Sequence, residues 1–310
     1  MSEQAPTFSI ITPVFNGEKY IEETIQSVLR NASNYSFEYI VINDGSTDGT
    51  LGILEKYSKE IRIYTQANRG ESESVNLGIS ESRGGFLLIV SADDPLLSGE
   101  LFEGAAEMFC SESNLVAIYP DWQEIDENGE TLETHSLPNF SLNAFLGLNM
   151  VLPGPGTIFT KTAATTIGGR RKKWKFVGDY DFWLRLSDEG DIRHRAKVLA
   201  QWRMHPNSTS VSSRGLEMAR ERIVVISSYF EETLQSYDEA LKRKSLSNAY
   251  ALAARLIFFS TEVSGKKFLA KSFLLGRGWP ERLSFLEFAY ILSHPISRVL
   301  VAPFRRFIKS

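Results

Sequence analysis

Phe86-Leu87-Leu88-Ile89-Val90-Ser91-Ala92-Asp93-Asp94 is the stretch that decides how this chain folds. An unbroken apolar run of this length reads as a strand buried on both faces, the mark of a central strand in a parallel sheet. In open α/β sheets the ligand crevice lies outside the carboxyl ends of such strands, so the run delivers adjacent carboxylates to the edge where ligands bind. Acids at that edge suit a divalent cation holding phosphates. With Pro95, the same residues also fit a polar turn that opens a helix, since aspartate is a common cap. The rest of the chain separates the two readings.

Outward from this strand the pattern repeats. Phe8 to Thr12 is β-rich and ends at Pro13, after which Tyr20, Ile21, Ile25, Val28 and Leu29 recur at helical spacing. Phe37 to Ile42 is a second strand, Asn43-Asp44-Gly45 a turn, and Leu51, Ile53, Leu54 and Tyr57 mark a second helix. Asn-Asp-Gly also signals hairpins, but no alternating strand follows it. Ile61 to Thr65 and Ser72 to Ser80 supply a third strand and helix. This alternation predicts a mostly parallel sheet with helices on both faces.

Further along, Leu101, Phe102, Ala105, Ala106 and Phe109 form a helical face, Leu115 to Tyr119 a strand, and Asn128-Gly129 a hairpin turn. The segment from Asn149 to Gly156 is a shaped loop, because its prolines and glycines break helix and strand alike. Asp179 opens a short helix with Phe182, Trp183 and Leu186 on one face, and Ile192 to Met204 reads as a strand ending at His205. After Val211 the pattern is helical, including a long apolar helix around Tyr250 to Phe259. A boundary is expected near residue 212.

With 310 residues, 43% of them hydrophobic, the chain holds an ordinary globular core in one large domain or two smaller ones. A net charge of −4 gives no reason to expect nucleic acid. The charge is uneven: from Ser264 onward nine basic side chains face two acidic ones. Aromatic and basic residues there, among them Phe285, Phe288, Tyr290, Phe304, Arg305, Arg306 and Phe307, predict either an amphipathic segment on an anionic membrane face or a helical module packed on the catalytic domain. The single cysteine, Cys110, excludes an internal disulfide, fits a cytoplasmic setting and is expected to pack on a helix. Met1 to Thr7 lacks the basic start and apolar core of a cleaved signal, and no window reaches the ~18 apolar residues of a spanning helix.

Taken in order, the turns are Thr12-Pro13-Val14-Phe15-Asn16, Asn43-Asp44-Gly45-Ser46-Thr47-Asp48, Asn68 to Gly78, Ser91-Ala92-Asp93-Asp94, Gly178-Asp179-Tyr180-Asp181 and Arg203-Met204-His205. This series resembles glycosyltransferase family 2, inverting transferases of the GT-A fold that use nucleotide-diphosphate sugars. The resemblance implies an α/β, Rossmann-like mixed sheet flanked by helices over residues 1–212, with the nucleotide-sugar half at 1–98, the acceptor half at 99–212 and a C-terminal helical region at 213–310. It implies that Pro13, Phe15 and Asn16 line the nucleotide pocket, that Asp44 hydrogen-bonds base or ribose, and that Asn68, Gly70 and Asn76 border the donor. Asp44 also fits an ordinary Asx-turn.

The family's Asp-x-Asp motif falls on Ser91, Ala92 and Asp93, so serine replaces its first member. Asp93 is then the expected metal ligand, with Asp94 beside it or facing the sugar. His205 matches the histidine that completes the metal site. Hard ions that take carboxylate and phosphate oxygens together are Mg²⁺ and Mn²⁺, and an imidazole ligand tilts the choice to Mn²⁺. Arg203 carries a guanidinium fork suited to phosphate oxygens.

Asp179 corresponds to the family's catalytic base, although Gly178 replaces the usual preceding glutamate; Asp181 is the runner-up. Displacing a nucleotide diphosphate requires removal of the acceptor hydroxyl's proton as attack proceeds. One carboxylate suffices, because the leaving diphosphate needs charge neutralisation rather than protonation. Partial shielding by Trp174, Phe176 or Trp183 would strengthen that base. Helix capping is the competing explanation for Asp179. The loop Pro153-Gly154-Pro155-Gly156-Thr157 is expected on the acceptor side.

The resemblance thus implies transfer of a single sugar, a UDP-sugar favoured, to a glycan or lipid-linked glycan acceptor. No Gln-x-x-Arg-Trp segment of the family's processive synthases occurs in the chain. The lack of Gly-x-Gly-x-x-Gly after any predicted strand argues against a dinucleotide oxidoreductase. The competing readings are a metal-dependent nucleotidyltransferase and, given Ser91 and Gly178, a catalytically impaired sugar-nucleotide-binding protein.

Overall fold

The computed structural model describes residues 6–148, 153–205, 215–233, 237–258 and 265–276. These fall into two units, one over 6–142 and 153–205, the other over 143–148 and the described residues from 215 onward.

The first unit is built on an eight-stranded mixed sheet. Strands β1 (Phe8–Val14), β2 (Phe37–Asn43), β3 (Arg62–Thr65) and β4 (Phe86–Ile89) run parallel in the order β3-β2-β1-β4. Helices α1 (Ile21–Ala32), α2 (Thr50–Lys56) and α3 (Glu71–Glu81) connect them. The chain moves outward from β1 to β2 and β3, then returns to the other side of β1 as β4. That reversal opens a crevice at the carboxyl ends of β1, β2 and β4.

Apolar patterning explains why these elements form. In α1, the buried Ile21, Ile25, Val28 and Ala32 follow one helical face. They pack with Phe8, Ile10, Tyr39, Val41 and Leu88 from the sheet. Gly78 lets α3 lie close to β1: a Cβ at that position would sit 2.3 Å from Ile11 Cγ2. Gly78→Ala is therefore expected to cost about 1–3 kcal/mol by overpacking. A lower urea midpoint with an unchanged far-UV spectrum would report it.

The second half of the sheet is more irregular. Helix α4 (Glu100–Ser111) leads into the long strand β5 (Leu115–Ile125), which forms a hairpin with β6 (Thr131–His135). After α5 (Leu142–Leu148), the short β7 (Ile158–Thr160) pairs antiparallel with both β4 and β5. Helices α6 (Lys161–Thr166) and α7 (Gly178–Leu186) follow, and β8 (Asp191–Arg203) runs parallel along β5.

Two expectations change here, and one strand is added. β5 does not stop at Tyr119 but continues to Ile125. Pro120 is tolerated because its missing N–H falls where the β8 register shifts, and because on the other edge β7 pairing ends before β6 pairing begins. β7 escaped detection because three residues carry too little period to read. Cys110 does lie on a helix, α4, but it is exposed rather than packed.

In the second unit, α8 (Gly215–Glu232), α9 (Glu239–Phe258) and α10 (Gly265–Gly276) are all helical. Ala251, Ala254 and Leu269 form its small core with Phe268 and Phe273. Ser247 Oγ donates to Ser272 O at 2.8 Å, and Ser272 Oγ donates to Ser247 O at 2.7 Å, fastening α9 to α10. Among the described residues no helix is long and apolar enough to cross a membrane. The proposed membrane-facing residues Phe285 to Phe307 lie outside the described residues.

Candidate active site

β4 and β8 end on the same side of the sheet, drawn together by a bridge between Leu96 and Ala200. After β4 the chain turns at Ser91 to Asp94, closed by the Asp94 N–H donating to Ser91 O at 3.2 Å. After β8, the Met204 N–H donates to Ile125 O at 2.8 Å, and His205 follows. The result is a contact between two of the expected residues: His205 Nε2 lies 2.8 Å from Asp93 Oδ2. The Tyr20 ring packs 5.0 Å from the imidazole.

Metal–ligand bonds near 2.1 Å place neighbouring octahedral ligands about 3 Å apart. The carboxylate–imidazole spacing therefore fits one cation, and the donor set fits Mn²⁺ better than Mg²⁺. Asp93 is 28% exposed at its side chain, which leaves an approach for phosphate oxygens.

Asp94 and Arg203 do not face a ligand in this way. Asp94 is buried, and Oδ1 accepts the Arg203 N–H at 2.8 Å. Burial, and secondarily the Asp93 carboxylate, push it up to about 8. Arg203 is 1% exposed. Its Nε donates to Asp93 O at 2.9 Å and Nη2 to Glu23 Oε2 at 2.7 Å, while Nη1 reaches the carbonyls of Asp126 and Glu127. Its guanidinium also stacks 4.8 Å from the Tyr20 ring centre. The fork that was expected to grip a diphosphate instead clamps the Asp93 backbone to the β5–β6 turn and to α1.

At the ends of β1 and β2 the loops are tied together. The Asn16 N–H donates to Ser46 Oγ at 3.0 Å, and Asn16 Oδ1 accepts the Thr47 N–H at 2.8 Å. Asn16 adopts φ 52, a region asparagine tolerates better than most residues. Its neighbour Phe15 stands 50% exposed, a flat apolar surface beside the crevice, and Pro13 is half-buried.

Asp44 is buried, with Oδ1 accepting from Gln66 Nε2 and the Arg69 N–H, and Oδ2 from the Gly70 N–H at 2.8 Å. It shapes the loop that starts α3; Oδ1 is filled by its two donors, and Oδ2 keeps one acceptor site. Asn68 and Gly70 are exposed on that loop. Asn76 points elsewhere: its amide accepts the Arg170 N–H and donates to Arg170 O, both at 2.7 Å. This pins α3 to the segment before α7 and uses the side chain the sequence had assigned to donor binding.

Asp179 sits in the first turn of α7, exposed. The cap position is Val177, without a side-chain hydrogen bond, but Asp179 Oδ1 accepts the first-turn Tyr180 N–H at 2.7 Å. Because Asp179 itself is exposed, the shielding expected from Trp174, Phe176 or Trp183 does not enclose the carboxylate. A Cβ on Gly178 would lie 3.0 Å from Ser72 Oγ, so the start of α7 abuts the start of α3. Contacts thus run from Asp44 through Gly70 and Ser72 to the turn carrying Asp179.

Asp181 is unsuited to proton transfer. It is buried, paired with Arg185 at 2.8 Å through Nε and 2.7 Å through Nη2, and lies 3.4 Å from Arg171. Asp181→Ala would strand a nearly buried guanidinium and is expected to cost about 3–5 kcal/mol. Thermal unfolding of that variant should show the loss.

Sequence reasoning passed over Glu23, Tyr20 and the basic run Arg170-Arg171-Lys172-Lys173. Glu23 reads as an acid favoured in a first helical turn, and nothing local marks it as a partner for Arg203. The basic run was visible as a charge cluster. It supplies ion pairs from Arg170 to Glu71 and from Lys172 to Glu73, which join it to α3.

A mixed sheet of this order with an acidic turn after its fourth strand is the GT-A fold. The TarS structure of S. aureus with UDP-GlcNAc aligns with TM-score 0.65 at 18% identity, over 86% of this chain and 79% of that one. A Pyrobaculum calidifontis mannosyltransferase in complex with GDP-Man and Mn²⁺ aligns with TM-score 0.56 at 13% identity, over 96% and 88%. The chain belongs to glycosyl transferase family 2, whose model matches residues 9–165. A Pasteurella multocida hyaluronan synthase is 26% identical over 76% of this chain and 24% of its own length. An uncharacterized glycosyltransferase of Rickettsia prowazekii is 25% identical over 80% and 84%. The chain thus spans about a quarter of the hyaluronan and chondroitin synthases it matches.

Proposed function

We propose that this protein is an inverting glycosyltransferase that moves one sugar from a nucleotide-diphosphate donor, a UDP-sugar favoured, to a hydroxyl of a glycan or lipid-linked glycan. The setting favoured is surface polysaccharide or glycoconjugate synthesis, as the named synthases among its relatives suggest. The observation that carries the reading is the Asp93–His205 pair, 2.8 Å apart at the ligand edge of a family 2 chain.

Phe15 and Pro13 offer a surface for the base, and Asp44 holds the adjoining loop and keeps one acceptor site, on Oδ2, for base or ribose. Asp93 and His205 would hold Mn²⁺ or Mg²⁺, which when bound neutralises charge on the leaving diphosphate. Asp179 accepts the proton of the acceptor hydroxyl as that oxygen bonds to the anomeric carbon. The bond from that carbon to the diphosphate oxygen breaks with its electron pair, and configuration inverts. Arg203 and Asp94 keep the Asp93 turn in place. Ser91 offers a hydroxyl where the family usually has a carboxylate, so Asp93 bears the ligand role on its side of the turn.

A panel of nucleotide sugars with and without Mn²⁺, read by thermal shift and then by product, tests the proposal. A donor held at 100 times its Kd stabilises by about 2.7 kcal/mol. Release of nucleoside diphosphate and a glycosylated acceptor is expected. Release of pyrophosphate would mark a nucleotidyltransferase, and binding without turnover a sugar-nucleotide-binding protein.

A further inference from the structure

We propose that Glu124, Glu133 and His135 form a second divalent-cation site, for a first-row transition ion with Zn²⁺ the best fit, on the β5–β6 hairpin. The site is independent of the donor site and of the transfer reaction proposed above. One ligand atom from each of the three side chains lies within 4.8 Å of the others.

The hairpin register produces this convergence. Glu124 stands directly opposite Glu133, and Trp122 directly opposite His135. Side chains two residues apart on a strand share a face, so Glu133 and His135 point the same way and meet Glu124 across the ladder. A register shift just after Glu124 places an extra residue in β6 between Thr131 and Glu133. Bulges of this kind re-aim side chains next to sites.

Two observations point to a bound cation rather than a solvated acidic face. First, like charges directly opposite on neighbouring strands repel, and Glu124 faces Glu133, with His135 their shared ion-pair partner among the described residues. Second, His135 Nε2 is shut off from solvent and makes no hydrogen bond, although Glu124 Oε1 is 3.2 Å away and Glu133 Oε2 3.9 Å. Those oxygens are near enough to attract, yet off the line along which a ring N–H donates. A neutral imidazole nitrogen left without a hydrogen bond between two carboxylates is a group that a cation would satisfy. The imidazole is held by the Trp122 ring, 4.1 Å from centre to centre.

The spacing suits the ion. Tetrahedral bonds of 2.0–2.2 Å put ligand atoms about 3.4 Å apart, between the two distances found here. Imidazole with two carboxylates is a donor set for Zn²⁺, whereas Mg²⁺ and Ca²⁺ take oxygen alone. Glu133 is 61% exposed, which gives the ion a route in and leaves room for a water as fourth ligand. A cation there would brace the hairpin whose turn carbonyls, at Asp126 and Glu127, receive Arg203.

Equilibrium dialysis of the full chain against Zn²⁺, with bound metal counted by mass spectrometry, tests the site. Asp93→Asn serves as the background, so that the donor site is weakened equally in every sample. In that background one Zn²⁺ is expected to bind, and His135→Ala or Glu133→Gln to weaken it by at least about tenfold. Glu133→Gln changes an exposed side chain and keeps the test valid if His135→Ala folds poorly. Equal Zn²⁺ affinity with and without these substitutions, or no binding in the background chain, would overturn the proposal. Either result leaves the transferase reading untouched, because that reading is measured on Asp93 and Asp179.

Discussion

Asp179→Asn is expected to lower turnover by about 10²–10⁴ while donor affinity changes by less than about twofold. The substitution keeps size and hydrogen bonding but removes the basic oxygen that takes the acceptor proton. The helix start is expected to survive the change, because asparagine keeps an oxygen that can accept the Tyr180 N–H now held by Asp179 Oδ1 at 2.7 Å. Stability should therefore move by less than the ~1 kcal/mol typical of a lost cap. Steady-state kinetics, donor titration and a melting curve on the same sample give the three numbers. Parallel loss of donor binding and turnover would make Asp179 a scaffold residue.

The second large effect belongs to the carboxylate–imidazole pair. Asp93→Asn is expected to reduce transfer by about 10²–10³, the scale seen when one group stabilising developing charge is removed. His205→Ala should be milder and partly restored by raised Mn²⁺, because it removes a neutral ligand and leaves the carboxylate that carries the charge. The dependence of rate on Mn²⁺ concentration separates the two. Asp93→Asn should remain slow at every concentration, whereas His205→Ala should shift the half-saturating Mn²⁺ upward.

Much of this was legible in the sequence. The runs Phe8 to Thr12, Phe37 to Ile42 and Phe86 to Val90 announce central strands because burial on both faces leaves them mostly apolar, and the buried Ser9 and Glu38 satisfy each other at 2.7 Å. The turns that follow each run could be placed at one sheet edge by topology alone. The Asn128-Gly129 turn announced the β5–β6 hairpin, with Gly129 at φ 90. What stayed hidden is what the long-range partners decide. Asn76 and Arg203 have side chains suited to ligands, and only the fold shows that one holds the Arg170 backbone and the other the Asp93 carbonyl. Pro120 looks like a strand end until the shifted register of β8 is seen beside it. Asp179 and Asp181 are alike in sequence, and the difference between an exposed carboxylate and one locked to Arg185 comes from packing.

Calorimetric titration of UDP into the protein, with and without Mn²⁺, tests the central claim most directly. If Asp93 and His205 hold the cation that meets the diphosphate, Mn²⁺ should tighten UDP binding by at least about tenfold, or 1.4 kcal/mol, and that gain should vanish in Asp93→Asn. An equal gain in the parent chain and in Asp93→Asn would contradict the account.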